Sequence, residues 1–240
     1  MIAGAAQGLR WLRTNVDLLM LVVLSLIILA ALCVAGLAEA VEEGATQRWD
    51  NWVLQQLHHR NDITVPVGPA WLQAGWRDIT ALGSSAVLVL VTIAVAGYLL
   101  LRKQYRLLLL LILATAGGSI LMVFLKDFFN RPRPPFASAE VFTLTSSFPS
   151  GHSMMSAVVY LTLGTLLART SNQYRYKVYF ISVAAVLTVL IGFSRVYLGV
   201  HYPTDVVAGW GFGLAWALLI WLVAYVLQRR GTIEPPRKPD

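Results

Sequence analysis

The chain has 240 residues, of which 57% are hydrophobic and 13% charged, with a net charge of +7. That composition excludes a soluble globular domain and places the chain among integral membrane proteins. In so apolar a chain the positive balance reflects loop topology and an anionic ligand, not nucleic acid. The single cysteine, Cys33, cannot form an intramolecular disulfide and reads as a packing residue within an apolar run.

In chain order, the first charge-free run is preceded by Arg10 and Arg13 and followed by Glu39, Glu42 and Glu43. Its apolar core exceeds the roughly 7–15 residues of a signal peptide and no cleavage site follows, so it reads as a retained span over 17–40. Residues 42–77 read as an outer loop. Its tryptophans, Trp49, Trp52, Trp71 and Trp76, suit a short helix lying at the membrane interface, and His58 and His59 read as solvated loop residues. Further runs predict spans over 79–101, 105–126, 151–169, 177–194 and 203–228. Each is compatible with roughly 30 Å of hydrocarbon at about 1.5 Å per residue. The expected fold is all-α: an integral membrane bundle of six transmembrane helices with an interfacial outer loop. Residues 1–230 form one domain, and 231–240 read as a disordered cytoplasmic tail.

Six spans put both termini on one side. Twelve of the 19 basic residues fall there: Arg10, Arg13, Arg102, Lys103, Arg106, Arg169, Arg175, Lys177, Arg229, Arg230, Arg237 and Lys238. The bias makes that side cytoplasmic. Lys126, Arg131, Arg133 and Arg195 lie on the other side, against the bias, and they flank the shortest spans. Cations beside hydrocarbon need a local reason, and the natural counter-charge is a phosphate, which arginine grips bidentately and lysine meets as a point charge.

Pro149-Ser150-Gly151-His152 opens the span at 151. Proline stops a preceding helix, Ser150 is a good N-cap, and Gly151 lets the backbone approach an oxyanion, so the free N–H groups of that turn face the same side. His201 and Asp205 stand four residues apart at the start of the last span, where a carboxylate can fix an imidazole's tautomer and stabilise its charged form. A site of two histidines and a carboxylate could also hold a metal, but a divalent cation among four basic residues is repelled unless carboxylates beyond Asp127 and Glu140 join it. The reading is therefore no metal and no cofactor.

Lys126, then Arg133-Pro134, then Pro149-Ser150-Gly151-His152, then Ser194-Arg195 with His201 and Asp205 beyond, resembles the three-part motif of the type 2 phosphatidic acid phosphatase superfamily. The resemblance covers Lys126 to Asp205 and implies a metal-independent membrane phosphatase acting at the extracytoplasmic face of a bacterial inner membrane. Its substrate would be a lipid phosphate or diphosphate, with undecaprenyl diphosphate first and phosphatidylglycerophosphate or phosphatidate next. By the same resemblance His201 looks like the nucleophile that forms a phosphohistidine, Asp205 its orienting partner, and His152 the acid for the leaving group. Lys126, Arg133, Ser150, Gly151 and Arg195 look like the phosphate-binding set. Arg131 falls between motif positions and reads as a lesser contact or a headgroup anchor. Two alternatives remain on the sequence: a lipid phosphotransferase using the same intermediate, and a non-catalytic phosphate-lipid binding or transport protein. The bilayer and its phosphate lipids are the expected partners, nucleic acid is not, and oligomeric state has no signal in the sequence.

Overall fold

Backbone inside hydrocarbon must close its hydrogen bonds within its own segment, so long apolar runs become helices. The computed structural model describes residues 17–137 and 145–229. Among them are eight helices and no strand: α1 Leu18–Glu42, α2 Gln47–Leu57, α3 Ala70–Ala81, α4 Ser85–Leu101, α5 Tyr105–Phe129, α6 Gly151–Ala168, α7 Tyr174–Tyr197 and α8 Pro203–Arg229. Five of these (α1, α5, α6, α7 and α8) are long and apolar enough to cross a membrane, and α3 with α4 forms a bent pair that brings the count to six. Arg10, Arg13, Glu140, Arg230, Arg237, Lys238 and the tail at 231–240 lie outside the described residues.

The run expected as one span over 79–101 is broken. Gly83 and Ser84 interrupt it, and the Ser84 hydroxyl accepts a hydrogen bond from the Val87 N–H at 3.3 Å, capping a new helix. The two halves meet at 46°. The α3 half therefore belongs with what the sequence presented as outer loop, and it packs on α7.

That outer segment is more than an interfacial helix. On α2, Asp50, Leu54 and the following His58 form a buried stripe at i, i+4 and i+8, while Trp49 and Trp52 face outward. His58 is thus not a solvated histidine. Its Nδ1 lies 2.8 Å from the Leu54 carbonyl oxygen and its ring rests against Phe136. Trp76 also turns inward, packing on Phe193 and Tyr197. Cys33 lies on the outward face of α1, so it is not a packing residue.

Helix α6 is the centre of the bundle, packed against α4, α5, α7 and α8. Half of its apolar window is buried by protein, against 11% for α1, which lies at the periphery. Small residues let α8 come this close. A Cβ on Gly209 would stand 2.7 Å from the Ser150 carbonyl oxygen, and one on Gly213 would stand 2.6 Å from the Met154 oxygen. At the opposite end of the bundle, Asp17 caps α1 through the Met20 N–H and accepts from the Tyr225 hydroxyl of α8, which pins the first span to the last.

The packing predicts an asymmetry between two glycines. Gly213→Ala meets backbone that cannot yield and should lower stability by about 1–3 kcal/mol. Gly97→Ala on α4 has nothing within 4 Å and should be neutral or stabilising by up to about 1 kcal/mol. Thermal unfolding of the two variants in detergent reads the difference, and equal melting temperatures would contradict the close α6–α8 approach.

Candidate active site

Alternating helix directions bring the C-termini of α5 and α7 and the N-termini of α6 and α8 to one end of the bundle. Lys126 stands in the last turn of α5 and Arg195 in the last turn of α7. Ser150 caps α6, its hydroxyl accepting from the Ser153 N–H at 3.5 Å, and its own N–H donates to the Asp205 carbonyl oxygen at 2.9 Å. His201 sits in the short connection after α7, and Asp205 in the first turn of α8. The peptide bond between Phe148 and Pro149 is cis.

Asp205 is fully buried, and donors from three chain segments converge on it. Oδ1 accepts from Arg131 at 2.5 Å. Oδ2 accepts from the Ser147 hydroxyl at 2.5 Å and the Tyr202 N–H at 2.9 Å, and lies 3.5 Å from His201 Nδ1. The Ser147 oxygen is also 3.3 Å from that nitrogen. A proton on Nδ1 is therefore matched by two acceptors, which leaves the Nε2 lone pair free. Arg133 approaches Nε2 to 3.4 Å as a donor, in keeping with that tautomer. Burial pushes the His201 pKa down to about 3 against the pull of Asp205, with Arg195 and Arg133 adding to the fall, so the imidazole is neutral at pH 7.

Lys126, Arg133 and Arg195 have only uncharged partners among the described residues. Lys126 donates to the Ser146 carbonyl oxygen at 2.6 Å. Arg133 donates to the Thr145 and Val200 carbonyl oxygens at 2.9 and 3.1 Å and to the Thr145 hydroxyl at 3.1 Å. Arg195 donates to the Thr80 hydroxyl at 2.9 Å, and its buried Nε has no partner. Three cations without a carboxylate hydrogen-bond partner and an orphaned buried donor thus gather at one end of the bundle, with the donors that an anionic ligand would need. A Cβ on Gly151 would stand 2.9 Å from Met122 Sδ, the flexible part of a side chain that can shift, and 3.5 Å from Lys126 Cε, an ordinary contact. His152, in the first turn of α6, is partly exposed beside Gly83, where an added Cβ would come within 3.3 Å of its ring.

All eight residues singled out in the sequence thus stand on the adjoining helix ends and connections of this one end. Arg131 differs from its expected place. It is neither a lesser contact nor a headgroup anchor, but a buried bridge from Asp205 to Asp50 of α2, at 2.5 and 2.8 Å, with its guanidinium over the Tyr202 ring. Ser147, Asp50 and Thr80 escaped the sequence reading. Only the i, i+4, i+8 stripe of Asp50, Leu54 and His58 carries a signal that could have exposed one of them.

A profile of the PAP2 superfamily matches residues 107–229. The chain is 38% identical over 200 residues to a phosphatidylglycerophosphatase B of Bacillus subtilis, covering 78% of this chain and 87% of that protein. It is 30% identical over 188 residues to a lipid A 1-phosphatase of Rhizobium etli, covering 67% and 76%. Its fold superposes with a TM-score of 0.75 on the crystal structure of a transmembrane PAP2-type phosphatidylglycerolphosphate phosphatase from Bacillus subtilis, at 32% identity over 85% of this chain and 98% of the other.

The anion site predicts a binding result that does not depend on turnover. Orthovanadate should raise the melting temperature of the protein, as any ligand selective for the folded state does. Arg195→Met should remove at least nine-tenths of the apparent affinity, about 1.4 kcal/mol or more. An unchanged vanadate titration of a folded Arg195→Met variant would contradict the assignment.

Proposed function

The chain belongs to the PAP2 superfamily of membrane lipid phosphatases, and from that premise we propose that it cleaves the terminal phosphate from a lipid phosphate or diphosphate through a phosphohistidine on His201. The observation that carries this reading is the His201 ring itself. Its Nδ1 is held by Asp205 and Ser147, and its Nε2 is turned toward Arg133 beside cations that lack a counter-charge.

In the first step the Nε2 lone pair attacks phosphorus in line with the leaving oxygen. The nitrogen–phosphorus bond forms as the phosphorus–oxygen bond breaks, and His152 gives its proton to the departing lipid oxygen. Positive charge gathers on the imidazole as it bonds, and the buried Asp205 carboxylate stabilises it. Lys126, Arg133, Arg195 and the N–H groups at the start of α6 take the charge on the equatorial oxygens. In the second step His152, now neutral, accepts a proton from water as the water attacks phosphorus. Inorganic phosphate departs, and His201 returns to its starting state. The site's own cations do the electrostatic work in this scheme, so no metal is called for.

We place the site at the extracytoplasmic face of a bacterial cytoplasmic membrane. Arg102, Lys103, Arg106, Arg169, Arg175, Lys177 and Arg229 belong to the connections and helix ends at the other end of the bundle, which the positive-inside bias makes cytoplasmic. Phosphatidylglycerophosphate is put first among substrates, on the likeness to the phosphatidylglycerophosphatase over most of both chains. Undecaprenyl diphosphate, favoured by an outward-facing site alone, comes second, and phosphatidate third.

Phosphate release from these three lipids by the purified protein tests the reading. Activity should persist in EDTA, and phosphate should appear without an added acceptor, which separates a hydrolase from a phosphotransferase. His201→Ala should lower kcat by at least about 10³-fold, and His152→Ala by about 10²–10⁴-fold. Full turnover by a folded His201→Ala variant would overturn the phosphohistidine route, and phosphate-lipid binding without turnover would replace the enzyme with a binding protein.

A further inference from the structure

Among the described residues the scheme leaves two buried charged groups unused, Arg131 and Asp50. Asp50, on α2 of the outer segment, is completely buried, yet it lies 81 positions from Arg131 and 154 from Thr204, its two partners at the site. Its Oδ2 accepts from Arg131 at 2.8 Å, from the Thr204 hydroxyl at 2.6 Å and from the Thr46 hydroxyl at 3.2 Å. Its Oδ1 accepts from the Thr204 N–H at 3.1 Å. Arg131 reaches the other way to Asp205 and also donates to Thr204 and to Gln47, at 2.9 and 3.3 Å. The chain of charges therefore runs from carboxylate to guanidinium to carboxylate to imidazole, with each link inside the protein.

Stability alone is a weak reason for such an arrangement, because removing two carboxylates and a guanidinium from water costs much of what their attraction returns. Its consequence for His201 is specific. Arg131 bound to Asp205 alone would draw the carboxylate's charge away from the imidazole. Asp50 offsets that pull, so Arg131 can fix the orientation of Asp205 while Asp205 remains an effective anion toward Nδ1. Thr204 contributes by donating to Asp50 and accepting from Arg131 with one hydroxyl.

We propose that Asp50 is a positioning residue for phosphoryl transfer, acting through Arg131 on the Asp205–His201 pair, and that α2 is thereby part of the catalytic apparatus. The inference rests on the phosphatase reading above. Its consequence is selective. Asp50 touches none of the phosphate-binding cations, so losing its charge should slow formation of the phosphohistidine and leave lipid binding intact.

The test compares wild type, Asp50→Asn and Thr204→Val, purified in detergent and checked for folding by thermal unfolding. Each is assayed for phosphate release from phosphatidylglycerophosphate, undecaprenyl diphosphate and phosphatidate. Asp50→Asn should lower kcat by about 10–100-fold with KM changed less than about threefold. Alkali-stable histidine-bound phosphate, trapped from labelled lipid, should form correspondingly more slowly. Thr204→Val, a smaller and isosteric change, should lower kcat by about 3–10-fold with the same split, and it carries the test if Asp50→Asn does not fold. A merely structural role would lower the melting temperature while leaving kcat per folded molecule at the wild-type value. That result in Thr204→Val, or a raised KM at constant kcat, overturns the inference while the phosphatase reading stands. A wild-type protein that releases no phosphate from any of the three lipids overturns both.

Discussion

The arrangement of the end of the bundle that carries the candidate site depends on one buried carboxylate. Asp205 receives side-chain or backbone donors from the segment after α5, from the segment before α6 and from the connection between α7 and α8, while its own carbonyl oxygen accepts from the Ser150 N–H. Both ends of the α5–α6 connection and the connection that leads into α8 are therefore held in register by a single residue in the first turn of α8. Desolvating a carboxylate so completely is tolerable only because every oxygen is satisfied and because the helix N-terminus adds a favourable field. The same saturation fixes the direction in which His201 points. Its ring is oriented by groups that are themselves immobilised, so a phosphate bound as proposed would meet Nε2 without a search through rotamers.

That register requires α8 to lie almost on the backbone of α6, and the four-residue spacing of Gly209 and Gly213 makes it possible. In hydrocarbon, helices gain nothing from hiding apolar surface, so close backbone approach and satisfied polar groups decide which faces meet. Trp210 and Trp216 illustrate the second term. Their indole N–H groups donate to the Thr188 and Ala114 carbonyl oxygens of neighbouring helices, which ties α8 to α7 and to α5 within the membrane. Packing deep in the bundle and the geometry of the candidate site are thus one problem, because a displaced α8 would carry Asp205 and His201 away from Ser150.

The spans and the gathering of ionisable residues at one end of the bundle were legible in the sequence for different reasons. Apolar runs declare themselves by composition, and helix starts such as Ser150 and Pro203 declare themselves by residue type. Lys126, Arg133, Arg195, His152 and His201 were legible because ionisable residues at a hydrocarbon boundary are costly and need a cause. The break at Gly83–Ser84 was hidden, since a run without charges looks continuous until a serine cap is weighed against it. Ser147 and Thr80 were hidden because a hydroxyl in a loop or on a half-polar helix looks the same whether it faces water or a buried partner. Asp50 was masked by its neighbours: the tryptophans on either side gave the segment an interfacial character, and the opposite, inward stripe went unread. Arg131 was misjudged because its two carboxylate partners are so far from it in the chain.

The ions of this end fall into two groups with different surroundings. Arg131 is flanked by Asp50 and Asp205, so its charge is met inside the protein and the three side chains orient one another, with one carboxylate charge left over beside His201. Lys126, Arg133 and Arg195 rest on carbonyl oxygens and hydroxyls, which orient them without cancelling them. A carboxylate beside any of the three would have lowered the cost of burying it, but would then have competed with phosphate for the same donors. Neutral partners keep the donors aligned and the positive potential intact, so on the proposed reading the desolvation cost is borne before a substrate arrives and the electrostatic gain is left for the charge that would develop on phosphorus. The first group thus fixes geometry more than it adds stability, and on the proposed reading recognition falls to the cations without a carboxylate partner.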